Sequence, residues 1–132
     1  MLDASVTLAA VLQESNAAAA IDLLDRVAAD RAAVPGHWHL EVGNALLMAE
    51  RRRGILPSQR AAYVHDLLTL PIEVDLETSA RAWRETASLA ERHRLTLYDA
   101  AYLELGLRRG LPLATFDAAL RRAASAAGLQ LL

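Results

Sequence analysis

Apolar positions recur at helical spacing along most of the chain, broken by short apolar runs that lack a polar face. Met1-Leu2-Asp3 is too short to be a normal strand, although an acidic residue directly follows its apolar start. Ser5 to Glu14 reads as a helix with Val6, Ala9, Ala10 and Gln13 at helical spacing. Ala17 to Asp30 follows as a second amphipathic helix, with Ile21, Leu24, Val27 and Ala28 on one buried stripe. Ala32-Ala33-Val34-Pro35 is a candidate strand, stopped by Pro35-Gly36. A helix opening at His39 or Leu40 runs to Arg53 with Val42, Ala45, Leu46 and Ala49 inward, and Gly54 closes it. Pro57-Ser58 starts a further helix to Leu70. Pro71 to Asp75 is a third strand by its β-branched content, and Leu76 to His93 one long helix.

The stretch from Leu95 to Ala124 reads as helix, turn, buried strand, turn, helix. Gly110-Leu111-Pro112 ends its first helix, with Gly after the last turn and Pro just beyond. Leu113-Ala114-Thr115-Phe116 is short and mostly apolar, as a strand covered on both faces would be. The last helix spans Asp117 to Ala127, with Gly128 as its cap and Leu129 to Leu132 as an edge strand. Strands alternating with helices predict an α/β fold: one domain over residues 1–132, with a mostly parallel sheet of four to five strands flanked by helices. In such sheets ligands sit at the carboxyl ends of the strands, which directs attention to Asp117 and to Asp99 in the helix beside it.

Composition narrows the chemistry. A chain of 132 residues with 54% hydrophobic and 23% charged residues has enough apolar material for a core. It has no cysteine, hence no disulfide framework, thiolate metal site or Cys nucleophile, in keeping with a reducing cytoplasm. No apolar run approaches the roughly 18 residues a membrane helix needs, and Ala4 to Leu12 lacks the preceding basic residue of a signal segment. All 14 residues in the Lys+Arg count are Arg. The absence of Lys removes P-loop, Schiff-base and Ser-Lys chemistry, and no G-x-G-x-x-G supports dinucleotide binding. The net charge of −2 does not argue against RNA: with four carboxylates held on metal, the rest of the surface carries −2 + 4 = +2.

Four acidic residues stand out by location: Asp3, Glu41, Asp99 and Asp117. Each has a plain alternative. Thr96-Leu97-Tyr98-Asp99 has the form of a capping box, and Asp117 is placed to cap the last helix. Glu41 fits that reading less well, since Val42 and Asn44-Ala45-Leu46-Leu47 place it on a packed helix. Together the four fall where a parallel sheet would bring them to one edge. Clustered carboxylates repel by about 4 kcal/mol per pair at about 4 Å and an effective dielectric of about 20. They persist if they titrate upward or hold cations. Oxygen donors without Cys select Mg²⁺, with Mn²⁺ as substitute, and such ions activate water against a phosphodiester.

Leu2-Asp3-Ala4-Ser5-Val6, Trp38 to Leu46, Leu97-Tyr98-Asp99-Ala100-Ala101-Tyr102 and Leu113-Ala114-Thr115-Phe116-Asp117 together resemble the PIN-domain ribonucleases, most closely their VapC toxin branch. The resemblance spans nearly the whole chain, with the four acidic motifs in family order. It implies a Mg²⁺-dependent endoribonuclease in which Asp3, Glu41, Asp99 and Asp117 bind one or two ions and generate the attacking hydroxide. Ser5 and Thr115 would then bond metal water or the scissile phosphate, and Asn44 would hold the Glu41 side. It further implies an RNA substrate, a homodimer and a VapB-type antitoxin. One departure is that only Met1 and Leu2 precede Asp3: either the true start lies upstream or the first strand is stunted, and a short strand would loosen that residue. Two rivals stand against the enzyme: a catalytically silent metal- or partner-binding module on the same fold, and an aspartyl-phosphate receiver or phosphatase, which the lack of Lys and of a second acid beside Asp3 disfavours.

Other residues are read more plainly. His37, His39 and Glu41 alternate, but Pro35-Gly36-His37-Trp38 is better read as a loop entering a helix than as a transition-metal site. Arg51-Arg52-Arg53, Arg92-His93-Arg94 and Arg108-Arg109 lie at helix ends, where cations suit the dipole, with RNA contact as the minority reading. Tyr98 and Tyr102 share a helix face, and packing is favoured over base stacking.

Overall fold

A computed structural model describes the backbone of residues 1–132 and every side chain except that of Arg53. Helix α1 (Ala4–Val11) follows Asp3 directly, and α2 (Ala17–Asp30) packs on it. The stripe on α2 is narrower than its periodicity suggests. Ala20 is buried and Leu23, Leu24 and Val27 are half-buried, whereas Ile21 and Ala28 face water. Strand β1 (Ala32–Val34), buried throughout, pairs in parallel with β2 (Ile72–Val74), Val34 opposite Val74. Between them lie α3 (Trp38–Arg53) and α4 (Pro57–Leu68). Gly54 ends α3 at φ 72°, a left-handed conformation that glycine adopts without penalty.

The predicted four- to five-stranded sheet is formed only in part: two segments have strand length, and three others join through single parallel bridges. Leu2 N–H donates to Ala33 O (3.2 Å), and Asp3 N–H donates to Ala114 O (3.0 Å). Ala114 N–H donates back to Met1 O (3.0 Å). Leu113 donates to Gln130 O (2.9 Å) and bridges Leu131. The hydrogen-bonded order is therefore β2, β1, Leu2, Leu113-Ala114, Leu131. The predicted strands at Leu113 to Phe116 and Leu129 to Leu132 contract to these bridges because tight turns and caps take up the flanking residues. The same lattice overturns the expectation that a short first strand loosens Asp3. Both neighbours of Leu2 are tied into the layer, and Asp3 is buried.

The predicted long helix from Leu76 is three pieces in succession: α5 (Thr78–Arg81), a π-helical turn (Ala82–Thr86) and α6 (Ala87–His93). Its start is delayed to Thr78, whose hydroxyl hydrogen-bonds the Asp75 carboxylate (2.9 Å) and accepts from Gly36 N–H (3.0 Å). Arg94, at φ 54°, ends α6. Helix α7 (Leu97–Arg109) is the centre of the molecule: Ala100 to Gly106 are all buried, the mark of a helix covered on every side. It lies close to the chain start at Gly106, where an added Cβ would come within 2.7 Å of Leu129 Cδ2 and Met1 Cε. Helix α8 (Ala118–Ala126) completes the fold. Among the described residues no helix is long and apolar enough to cross a membrane.

Candidate functional site

Asp3 is the innermost acid. It sits where the chain leaves Leu2 and turns into α1, 4% exposed. Two hydroxyls point at one of its oxygens: Ser5 Oγ–H and Thr115 Oγ1–H each donate to Oδ2 at 2.5 Å. Both hydroxyls are themselves oriented by the backbone. Ser5 Oγ accepts from Phe116 N–H (3.0 Å), and Thr115 Oγ1 accepts from Asp117 N–H (3.1 Å). Ser5 and Thr115 thus position the Asp3 carboxylate, each hydroxyl donating to it and accepting one backbone N–H.

Glu41 lies in the first turn of α3, half-buried, and Tyr102 Oη–H from α7 donates to its Oε2 at 2.7 Å. His37, one turn before Glu41, brings Nε2 to 3.6 Å of the same oxygen and packs its ring against Tyr98 and Tyr102. Asp99 lies in the first turn of α7, where Thr96 forms the expected capping interaction. The Thr96 hydroxyl accepts from Asp99 N–H (3.1 Å) and donates to Asp99 Oδ2 (2.7 Å). Each of the three carboxylates is thus held through one oxygen. Asp3 Oδ1, Glu41 Oε1 and Asp99 Oδ1 have no hydrogen bond among the described residues.

The three acids lie in one another's fields. Burial raises the Asp3 pKa above its ordinary value, and the charges of Glu41 and Asp99 push it further against the two hydroxyls. Burial likewise raises Glu41, with Asp99 adding and the Tyr102 hydrogen bond opposing. Tyr102 is held firmly protonated by burial and by the nearby Asp3 and Glu41 charges, so it remains a donor. The neighbouring imidazole does not neutralise the group. Burial lowers the His37 pKa, and the Asp99 and Asp3 charges offset this only in part.

The remaining candidates are placed differently. The Asp117 carboxylate caps α8, accepting from Leu120 N–H at 2.7 Å, while its backbone N–H donates to the Thr115 hydroxyl that donates to Asp3. Asn44 is exposed and lines a cleft of about 390 Å³ with His37, Leu40, Glu41 and Tyr98, but Tyr102, not Asn44, holds Glu41. His39 turns away to a separate apolar cleft with Trp38 and Val42, so it does not join His37 and Glu41. Sequence reasoning missed Tyr102 and His37 as participants. The available signals were spacings: Tyr102 three residues after Asp99, and His37 four before Glu41, each one helical turn away.

The donor set suits a hard cation: oxygen ligands, carboxylates that repel one another, and no cationic side chain paired with them among the described residues. As placed, no three acidic or imidazole groups among the described residues stand close enough together to hold an ion. The site is an open array of donors, not a closed cage.

No curated protein matches the chain by sequence. The crystal structure of PAE2754 from Pyrobaculum aerophilum is similar at 26% identity and a TM-score of 0.66, covering 92% of this chain and 83% of that one. The PIN domain model matches residues 1–126. The chain belongs to the PIN domain family, whose members are generally nucleases that use divalent metals.

Proposed function

We propose that the protein is a Mg²⁺-dependent endoribonuclease, with Mn²⁺ able to substitute, whose metal set is Asp3, Glu41 and Asp99 with Asp117 as a fourth, outer carboxylate. The observation that carries this reading is the convergence of three carboxylates, each held through one oxygen and none paired with a guanidinium, in a chain of a nuclease family; burial raises Asp3 and Glu41, and the neighbouring acids add to it. A divalent ion there would supply charge neutralisation for a phosphodiester and acidify water beside it. Ser5 and Thr115 fix Asp3, Tyr102 fixes Glu41, and Thr96 fixes Asp99, each leaving a second oxygen for the ion. His37, its pKa lowered by burial, stands as a neutral imidazole with Nε2 at 3.6 Å from Glu41 Oε2. The family resemblance supports cleavage leaving a 5′-phosphate and 3′-hydroxyl.

The same resemblance, carried by Leu2 to Val6, Trp38 to Leu46, Leu97 to Tyr102 and Leu113 to Asp117 together, supports a cytoplasmic toxin that acts as a homodimer and is restrained by a VapB-type antitoxin. The competing reading, a silent metal- or partner-binding module, draws on the caps that Asp99 and Asp117 form. Incubation with RNA separates them. Cleavage should require Mg²⁺ or Mn²⁺, stop with EDTA and disappear in Asp99→Asn. A folded wild-type chain that leaves RNA intact under these conditions supports the silent module. Growth arrest on expression alone, relieved by the protein of the adjoining reading frame, tests the toxin assignment, and harmless expression counts against it.

A further inference from the structure

Four arginines of this chain are paired with acids among the described residues. Arg60 meets Glu50 (2.7 Å), Arg81 meets Glu77 (2.7 Å), Arg108 meets Asp75 (3.0 Å) and Arg109 meets Glu73 (2.9 Å). Arg92, Arg94 and Arg122, like Arg26, Arg31, Arg51, Arg52 and Arg84, have no such partner among the described residues, but these three gather at one cleft with no carboxylate in its lining. All three are exposed, and among the described residues none makes a hydrogen bond or ion pair. With His93 they line a cleft of about 390 Å³ between the end of α6 and the outer side of α8. The other lining residues are Ala119, Ala123 and Ala126, so no carboxylate faces into it.

Helix-end electrostatics explains only part of this arrangement. Arg92 and His93 lie in the last turn of α6 and Arg94 caps it, where cations complement the dipole. Arg122, by contrast, lies in the body of α8 and comes from another part of the chain. The residues lining the cleft lie close to the acidic residues in the chain at two points. Arg94 stands two residues before Thr96, whose hydroxyl holds Asp99, and Ala119 stands two residues after Asp117. The next side chain on α8, Arg121, donates to Thr115 O at 2.9 Å, which ties this helix to the residue bonded to Asp3.

We infer that the Arg92–Arg94–Arg122 cleft is a phosphate-binding subsite for single-stranded RNA, gripping the strand beside the phosphodiester presented to the carboxylates. This deepens the ribonuclease reading and rests on it. Guanidinium groups are suited to phosphate oxygens through paired N–H donors, and three of them outside the negative site would offset the repulsion between RNA and Asp3, Glu41 and Asp99.

The test is the affinity of a labelled single-stranded RNA of about twelve nucleotides, a length that would span both places, as a function of salt. Binding is measured by anisotropy in Mg²⁺ with the Asp99→Asn chain, so that the strand stays whole. Adding Arg92→Gln, Arg94→Gln and Arg122→Gln should weaken binding roughly tenfold at low salt and reduce the slope of log affinity against log salt by about 2, at about 0.7 per lost contact. The three lysine substitutions should restore most of the slope. Arg51→Gln with Arg52→Gln, at the far end of α3 from Glu41, should leave both quantities unchanged. The inference is overturned if the triple glutamine variant keeps the parent slope, if the Arg51/Arg52 pair loses as much, or if the parent does not bind RNA. It is also overturned if a polyglutamate peptide loses binding in the triple variant while RNA does not, which would reassign the cleft to an acidic peptide. The underlying ribonuclease reading fails separately, when wild-type protein in Mg²⁺ leaves RNA uncut although the arginine substitutions change binding as predicted.

Discussion

The two ends of α7 treat buried acids in opposite ways. Towards its C-terminus, Glu104 and Asp75 are buried at 6% and 7% exposure, and Arg108 answers both, at 2.9 Å and 3.0 Å. Arg81 adds to Glu104 (3.7 Å), and Arg109 closes on Glu73. At the N-terminal end, Asp3 is buried as deeply, yet its partners are hydroxyls, and the charges nearest it in effect are Glu41 and Asp99. The same fold that neutralises one acidic group with guanidinium leaves the other without a counter-charge. Burial alone therefore does not mark the site. What distinguishes this end is a buried acid whose partners are hydroxyls and whose charged neighbours are other acids, an arrangement that a cation would stabilise.

The contrast breaks most visibly in activity. Asp99→Asn should lower RNA cleavage by about a thousandfold, the equivalent of several kcal/mol of lost charge stabilisation at about 1.36 kcal/mol per tenfold. The chain should still fold, because Asn keeps an oxygen for the Thr96 hydroxyl; circular dichroism and single-turnover cleavage check the two halves. Arg108→Met should do the reverse. It strips Asp75 and Glu104 of their shared cation and should cost about 3 kcal/mol, roughly a 10 °C fall in melting temperature, while the response to Mn²⁺ persists.

Asp117 sharpens the boundary between site and scaffold. Serine caps a helix about as well as aspartate does, so Asp117→Ser should leave the melting temperature nearly unchanged and lower cleavage by about tenfold. Undiminished cleavage would reduce Asp117 to a cap. The smallest effect is on metal-free stability. Because the folded-state pKa of Asp3 is raised by burial and by Glu41 and Asp99, the native chain retains a proton that the unfolded chain has lost. The stabilising contribution is then full below the ordinary Asp value of 3.8 and disappears as pH rises through the folded value. Urea midpoints of the metal-free protein should fall over that rise, and the fall should be shallower in Asp3→Asn.

What the sequence reveals follows from how each feature is encoded. The span of α2 and the inner face of α3, at Val42, Leu46 and Ala49, are periodic and therefore legible. The layer positions at Leu2, Leu113 and Leu131 are not, since one bridging residue has no period, and their partners are remote in the chain. The π turn at Ala82–Thr86 keeps a helical pattern and so leaves no sign in the sequence. Asp99 and Asp117 show why site and cap are hard to separate from sequence: Asp99 serves its helix start and the acidic field together, whereas Asp117 is drawn to its helix. Tyr102 shows a related ambiguity. Its ring is core, as its spacing predicts, and only the fold reveals that its hydroxyl reaches Glu41.

The most direct test of the central claim is the melting temperature of metal-free protein titrated with Mn²⁺ at neutral pH, in wild type and in Asp3→Asn. Saturation at about a hundred times the dissociation constant should stabilise the wild-type chain by about 2.7 kcal/mol, a rise of roughly 9 °C, and the substitution should remove most of it. A wild-type melting curve that Mn²⁺ does not move, or an equal rise in Asp3→Asn, would contradict the account.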